Sequence, residues 1–160
     1  MTIHELLHVD PEAADLATMS GARIKPIDSD AARAFLERLG ETGGTTALLQ
    51  RAWGAFENET ALIGVGVFAA ATPTRVHAHI AVVPERRRLH IGSDLLGRLV
   101  NEAAAWGLTT LACTHPAEAT TPLGLVRSLR LTAARRVRLQ VATMVIFVPR
   151  PAFHRSRGDS

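Results

Sequence analysis

The 160 residues and 17.2 kDa of this chain suit one domain, since domains usually run to about 100–150 residues. Its 47% apolar and 21% charged residues exclude wholesale disorder, and its longest apolar run, 61–71, falls short of the ~18 residues that span a bilayer. The net charge is only +3, so the pI of 10.3 reflects seventeen arginines beside one lysine and no tyrosine rather than a strongly basic surface.

The N-terminal third of the sequence carries two helix starts and a strand. Asp10-Pro11-Glu12 brings an N-cap, a first-turn proline and an acid together, which predicts a helical extension over residues 1–20. Apolar and basic residues alternate over 22–27, which predicts a strand. Residues 28–30 cap a helix whose apolar positions keep helical spacing, namely Ala31, Phe35, Leu36 and Leu39. Residues 46–53 are interpreted as a further helix.

The middle of the sequence predicts a hairpin followed by an amphipathic helix. The runs 61–71 and 75–83 are both β-rich and flank a Thr-Pro-Thr turn, so we expect two antiparallel strands. Pro84 closes the second strand. Residues 93–106 have their leucines on one helical face, and Gly107 is a natural C-terminal stop.

The C-terminal third is predicted to complete the sheet. Residues 108–113 and 138–148 favour strands, and residues 122–129 favour a short helix between them. The basic and polar tail, 150–160, is predicted to be disordered because it has little to bury. A hairpin followed by a strand–helix–strand crossover predicts one α/β domain over 21–149, built on a mixed sheet.

The connection between the second hairpin strand and the amphipathic helix carries the clearest chemical signal. The strand stops at Pro84, a turn with Arg86-Arg87-Arg88 follows, and the helix opens at Gly92-Ser93. The first amides of a helix have no intrahelical partners and lie at its positive end, so they bind anions, and a glycine lets the ligand approach the backbone. The arginines add charge-assisted donors. The segment therefore predicts a phosphate site.

This segment resembles the signature of the GNAT (general N-acetyltransferase) superfamily, Arg/Gln-x-x-Gly-x-Gly/Ala between a strand and a helix. The signature matches at Arg87 and Gly92, and the order of the predicted elements extends the resemblance over residues 22–148. Other residues also fall where the family has them: Pro84-Glu85, Ile91 and the pair Leu95-Leu96.

The resemblance implies a fold and a cosubstrate site. In the family the sheet is mixed, mostly antiparallel and flanked by helices. The strands corresponding to 75–83 and 108–113 splay apart there and open a slot for the thioester of acetyl-CoA or a related acyl-CoA. The first of these strands pairs with the pantetheine arm, which implies contacts from Val82 and Val83. The turn holds the CoA pyrophosphate, which implies a run of residues: Arg87, Arg88, Leu89, His90, Ile91, Gly92 and Ser93.

Two departures from the family pattern concern the turn and the proton donor. The first glycine of the signature is His90 here, and histidine is less unfavourable at positive φ than a β-branched residue. Many members use a tyrosine as general acid, within a Tyr-x-x-x-Gly-Phe-like pattern. The aligned segment has Val126 at the tyrosine and Arg130-Leu131 at Gly-Phe. The chain contains no tyrosine, so this acid is absent.

Histidines are the remaining candidates for proton transfer. Transfer to an amine requires the amine to lose a proton, which an imidazole can accept near pH 7. His77 and His79 alternate on the strand before the motif and so point to one face, and His115 follows the next strand. The alternative is that all three are strand and loop histidines without a catalytic role. No cysteine or carboxylate has the spacing to complete a metal site, so no metal is expected. Cys113 lies in an apolar stretch, and burial there would raise its pKa and make it a poor nucleophile.

Three functions stay open at this point. The first is an N-acetyltransferase that passes an acyl group from acetyl-CoA, or a related acyl-CoA, to a small-molecule or peptide amine. The second is a degenerate GNAT domain that binds acyl-CoA as a sensor or partner subunit. The third, a nucleic-acid-binding domain, is disfavoured because 4% aromatic residues offer few stacking platforms. The resemblance alone suggests a homodimer through a late strand. A single cysteine and no spanning segment favour a cytoplasmic protein that binds no membrane.

Overall fold

Seven strands and three helices make up the described part of the chain, which comprises residues 20–40, 49–70, 76–87, 89–116, 118 and 121–149 of a computed structural model. The predicted extension over 1–20, apart from Ser20, and the predicted tail over 150–160 lie outside the described residues. A 3-10 turn, Pro84–Arg86, precedes the second helix. In chain order the elements are β1 (Arg23–Ile27), α1 (Ser29–Arg38), β2 (Leu49–Phe56), β3 (Leu62–Ala70), β4 (Val76–Val82), α2 (Ile91–Ala105), β5 (Thr110–Pro116), α3 (Thr121–Ser128), β6 (Thr132–Arg138) and β7 (Val141–Phe147).

The described strands form one sheet in the order β1-β2-β3-β4-β5-β7-β6. Neighbouring strands are antiparallel except for β4 and β5, which are parallel. Parallel strands need a crossover connection, and α2 supplies it. The mixed, mostly antiparallel sheet flanked by helices is therefore confirmed.

Helices pack on both faces of the sheet. On one face, α1 lies against β2 and β3 around the buried side chains of Leu36, Val65 and Val67. On the other face, α2 lies against β3 with Leu95 and Leu99 fully buried, and α3 packs beside α2. Side chains alternate between these faces along each strand, so neighbouring residues enter different cores.

Two glycines of β3 let α2 approach the sheet closely. A Cβ added at Gly66 would lie 3.3 Å from Leu99 Cδ1. One added at Gly64 would lie 3.2 Å from Leu95 Cδ1 and 3.3 Å from Ile91 Cγ2. Larger residues would push the helix outward. The glycines thus hold the N-terminus of α2 beside the end of β4, because Gly64 pairs with the last residue of β4.

Charged side chains are buried along α2. Arg98 Nε lies 3.4 Å from Glu102 Oε1, and the two side chains are only 4% and 10% exposed. The Arg51 guanidinium lies over the rings of Trp53 and Trp106, at 5.6 and 5.8 Å from their centroids. Burial lowers the pKa of Arg51 from its ordinary value, and the Glu102 carboxylate opposes that shift. Glu102 therefore compensates positive charge on both the helix and the sheet.

The prediction of a helix over 46–53 is wrong for the part that the structure describes. Residues 49–53 belong to β2, which pairs on both sides, with Trp53 opposite Pro26 of β1 and Gly66 of β3. The alanine and leucines of this segment favour a helix locally. A strand forms instead, because its alternating side chains place Ala52 in the core beneath α1 and Trp53 in the core beneath α2.

The strand predicted over 138–148 is confirmed as β7, but the hairpin that β7 forms with β6 was not predicted. β6 ends at Arg138 and β7 begins at Val141, so residues 139–140 form a two-residue loop in which Leu139 has φ 57°. Glycine or asparagine usually marks such a turn, and neither occurs here. The consequence is an edge strand, β6, that the sequence pattern did not reveal.

The other predicted elements are confirmed with small shifts of their ends. Asp28 caps α1, its Oδ1 accepting from Ala31 N at 2.7 Å. β3 and β4 form the expected hairpin. α2 starts two residues earlier than predicted and ends at Ala105, just before the predicted stop at Gly107, which has φ 74°. Among the helices of the described ranges, none is long and apolar enough to cross a membrane.

Candidate functional site

The link from β4 to α2 brings a row of backbone amides to one spot. The helix begins at Ile91, and its first intrahelical bond runs from Asp94 N to His90 O at 3.0 Å. Within the described part of the chain, no protein group accepts a hydrogen bond from the amides of Gly92 and Ser93. They lie at the positive end of a 15-residue helix and are available to an anion.

His90 takes the left-handed backbone conformation, with φ 65° and ψ 8°, immediately before α2. The resemblance has a glycine at this position, so the expected need for positive φ is confirmed. Left-handed backbone costs a non-glycine residue roughly 1–2 kcal/mol. The exposed imidazole makes no capping hydrogen bond to the helix that would offset this cost.

The arginines of the turn differ in their partners. Arg86 Nη2 lies 2.7 Å from Glu57 Oε1 in the β2–β3 connection. Arg87 Nε donates to Val82 O at 3.2 Å, and the rest of this exposed guanidinium points to no described acceptor. Arg88 lies outside the described residues. Arg87 is therefore anchored through one nitrogen and keeps donors for a phosphate.

Helix α3 packs across the first turn of α2. A Cβ added at Gly92 would lie 3.2 Å from Leu125 Cδ2, so this glycine serves the approach of the two helices. Ser128 Oγ donates to Leu125 O at 2.8 Å and therefore accepts from Ser93 Oγ at 2.9 Å. Because the Ser93 side chain is buried in this contact, its amide rather than its hydroxyl remains available to a ligand. Leu89, in the same turn, is 51% exposed.

Strands β4 and β5 separate soon after they start. His77 opposite Ala112 is the pair that joins them within the described residues. Val83 N donates to β3 at 2.9 Å, and in an antiparallel ladder alternate residues point to the same partner. The N–H and C=O groups of Ile80 and Val82 therefore point away from β3, into a gap on the β5 side. This gap corresponds to the splayed central strands that the resemblance implies.

The two valines expected to contact pantetheine differ in their backbones. Val82 directs its N–H and C=O to the gap, and its C=O currently accepts from Arg87. The N–H of Val83 is used by β3. Ile80, which sequence reasoning missed, offers the same pair of groups as Val82 one strand repeat deeper. The period of two along a strand was the available signal.

The sheet separates the three candidate histidines. His77 and His79 are half-buried on the face on which α1 packs. His115 shares the alternation of Leu111 and Cys113, which pack toward α2 and α3, so it lies on the opposite face. The structure thus brings His77 and His79 together and keeps His115 from them. In the described ranges, no group of three His, Cys, Asp or Glu residues is placed to hold a metal ion.

Thr114 lies across the gap from His79. The row that pairs His77 with Ala112 makes His79 and Thr114 the next residues on the same face of the sheet. Thr114 is exposed. Sequence reasoning missed it because the pairing of two parallel strands joined by a long crossover cannot be read from either strand.

The position that the resemblance gives to the tyrosine acid holds an apolar side chain. Val126 is 6% exposed and packs in the core beneath α2 and α3. Burial raises the pKa of the nearby strand thiol, Cys113, to about 11, so it stays protonated at neutral pH and is a poor nucleophile, as the sequence predicts.

Arg130 ends α3 in a left-handed conformation with φ 54°. Arg130 N donates to Arg127 O and Leu131 N to Val126 O, both at 3.0 Å, the bonding pattern that usually has glycine at the left-handed position. The alignment with a family Gly-Phe is therefore matched in backbone conformation, although not in residue type.

Comparisons with known proteins agree with this geometry. The sequence model of the Acetyltransferase (GNAT) family matches residues 22–123, a range that contains the turn, α2 and both strands of the gap. Among curated proteins, no sequence matches.

Solved structures of similar fold include three acetyltransferases. The ribosomal-protein-S18-alanine N-acetyltransferase from Escherichia coli is 17% identical, with a TM-score of 0.59 over 83% of this chain and 97% of that one. A phosphinothricin acetyltransferase from Sinorhizobium meliloti, in complex with AcCoA, is 18% identical, with a TM-score of 0.62 over 86% and 94%. The IAA acetyltransferase from Bacillus cereus is 17% identical, with a TM-score of 0.61 over 79% and 98%. At these identities the likeness is one of fold.

Proposed function

The chain belongs to the acetyltransferase (GNAT) family, and from that premise we propose that it transfers an acyl group from acetyl-CoA, or a related acyl-CoA, to an amine. One observation carries the proposal: the open amides at the start of α2 and the gap between β4 and β5 adjoin the same end of β4. A donor with a diphosphate along its length and a thioester at its tip requires both features together.

The first turn of α2 fits the diphosphate. Two amides, those of Gly92 and Ser93, have no acceptor among the described residues, and the helix dipole favours an anion there. The exposed Arg87 guanidinium supplies charge-assisted donors beside them. The pantetheine arm fits the gap, because Ile80 and Val82 direct amide and carbonyl groups into it as a neighbouring strand would require.

We assign His79 as the base that accepts the proton of the amine. As the amine nitrogen bonds to the thioester carbon and the C–S bond breaks, the nitrogen loses a proton that the imidazole can take. His79 borders the gap on the face opposite α2 and α3, so an acceptor can reach it while the diphosphate rests on α2. His77 lies in the row where the strands are still paired and is farther from the opening.

The leaving thiolate does not require a tyrosine. Thiols have a pKa near 8.5, so sulfur can leave as thiolate and take its proton from solvent. Val126 then contributes an apolar wall rather than an acid. This argument favours turnover over mere binding, although the missing acid motivates a binding-only domain as the competing function.

Calorimetric titration with acetyl-CoA tests the binding half of the proposal. Arg87→Ala should weaken affinity about 5- to 10-fold, the size of one charge-assisted hydrogen bond, and the loss should shrink as salt rises. Arg33→Ala removes the same charge from α1 on the other face and should stay within about twofold. Equal affinities for all three proteins would refute the assignment of the diphosphate to this turn.

Thioester consumption over a panel of amines and peptides tests the catalytic half. His79→Ala should lower kcat/KM by roughly 10²–10⁴, the usual contribution of a general base, without changing the affinity for CoA. The same substitution at His77 and His115 ranks the three histidines. Tight CoA binding with no turnover on any acceptor would instead favour the sensor or partner subunit.

A further inference from the structure

A part of the sheet on which none of the described helices packs adjoins the gap on the face that carries His79. Helix α1 packs on β2 and β3 of this face, whereas β5, β7 and β6 continue beyond it. Two rows of residues cross these strands next to the opening, and we name them the open face: Thr114, Thr143 and Arg136 in one row, and Val141 and Arg138 in the other. Val141 is 46% exposed.

The open face is cationic, and no acid of the described residues pairs with its arginines. Arg136 and Arg138 are exposed, and neither forms an ion pair with a carboxylate of the described residues. Residues 121–149 contain five arginines and no aspartate or glutamate. The nearest acid along the chain is Glu118, in the connection after β5. An anionic partner would therefore meet donors here without a competing carboxylate from β6 or β7.

The positive charge of the open face distinguishes between the partners that it could bind. A second copy pairing through β6 would set the same arginines against one another, which is destabilising for residues directly opposite in a sheet. A small amine would reach one row. Two strand spacings, about 10 Å, separate Thr114 from Arg136, a distance that about three residues of an extended chain cover. A polypeptide rich in acids matches both the sign and the length of the open face.

We propose, on the premise that the protein is an acyltransferase, that its acceptor is an acidic polypeptide. Its reacting amine enters the gap beside His79, while Asp or Glu side chains two to four residues away are bound by Arg136 and Arg138. The arginines are thus specificity-determining residues for the acceptor and take no part in the transfer itself.

Paired peptides that differ only in charge test this inference. One pair has a free N-terminal amine followed by Glu-Glu-Glu or Gln-Gln-Gln, and a second, N-terminally blocked pair has a lysine followed by the same residues. At low salt the Glu peptide of at least one pair should be acetylated about tenfold more efficiently in kcat/KM, and the preference should fall at 0.5 M salt. Fluorescence anisotropy on the CoA-saturated protein should give the same preference in affinity.

Variants of β6 locate the preference. The double substitution Arg136→Ala and Arg138→Ala should remove it while leaving the Gln peptide within about twofold, and replacement of both arginines by Glu should shift the preference to Lys-rich peptides. Arg135→Ala, on the same strand but the other face, is the matched control and should keep it.

Four results would overturn the inference. The first is equal rates and affinities for the Glu and Gln peptides. The second is a loss of the preference in Arg135→Ala as large as that in the double variant, because arginines that only protect an edge strand from pairing act from either face of it. If the protein acetylated other amines but bound neither peptide, the inference would be refuted and the proposed function would stand. Absence of thioester consumption with every amine would refute the proposed function, and the acceptor assignment with it.

Discussion

Replacement of His90 by glycine should stabilise the protein, against the usual cost of introducing glycine. The native residue has φ 65°, which costs a non-glycine side chain roughly 1–2 kcal/mol. Glycine loses about 0.5–1 kcal/mol more conformational freedom on folding. The difference predicts a gain of about 0.5–1 kcal/mol in the free energy of unfolding, or a rise in Tm of about 1–4 °C for a chain of this length.

The comparison with His90→Ala separates backbone from side chain. Alanine removes the imidazole but keeps the left-handed strain, so this variant should be less stable than His90→Gly by about 0.5–1 kcal/mol. Urea unfolding followed by circular dichroism gives both values. Equal stability of the two variants would refute the strain argument.

The same two variants test how the turn binds its ligand. Both keep the amides of Gly92 and Ser93, so if the backbone holds the diphosphate, each should bind acetyl-CoA within about twofold of the wild type. An equal loss of affinity in both variants would instead mean that the imidazole of His90 contributes to binding of the diphosphate.

Further predictions concern buried and strained groups elsewhere. Because burial raises the folded-state pKa of Cys113 to about 11, its stabilising contribution is intact below about pH 9 and is lost as pH rises through 11. The free energy of unfolding should fall there by up to about 2–3 kcal/mol, and Cys113→Ala should lack that part of the slope in urea titrations. Arg130 and Gly107 both hold the left-handed position after a helix, so Arg130→Gly should raise the free energy of unfolding by about 0.5–1 kcal/mol and Gly107→Ala should lower it by about 1 kcal/mol. If the Tm values of the two variants changed in the same direction, this reasoning would be contradicted. Glu102→Gln should cost about 3–5 kcal/mol in chemical unfolding because Arg98 would remain buried without its carboxylate, whereas a cost below 1 kcal/mol would mean that the pair is effectively solvated.

Local signals correctly predicted the turn between β4 and α2, to which we assign the phosphate. Pro84, the arginines and Gly92 lie within a few residues of one another, and each acts through local chemistry: a strand end, charge, and close backbone approach. Even the departure at His90 was informative, because positive φ is a property of a single position. The same holds for Arg130, where the alignment expected glycine.

The strands proposed to bind the acceptor could not be predicted in the same way. The strand Leu49–Phe56 is fixed by partners on both sides rather than by its own helix-forming residues. The turn at Leu139 has no glycine, so the edge strand before it went unrecognised, and with it the arginines Arg136 and Arg138. The opposition of Thr114 and His79 follows from strand pairing that only the folded sheet defines.

The separation of β4 from β5 leaves a four-strand block and a three-strand block sharing a single seam at His77 and Ala112. Backbone amides along that seam, such as those of Ile80 and Val82, should exchange with deuterium like amides at an outer rim of a sheet. A molecule that binds between the blocks would form hydrogen bonds with β4 as an additional strand does. We expect a ligand bound there to slow this exchange, which would couple occupancy of the gap to the stiffness of the sheet.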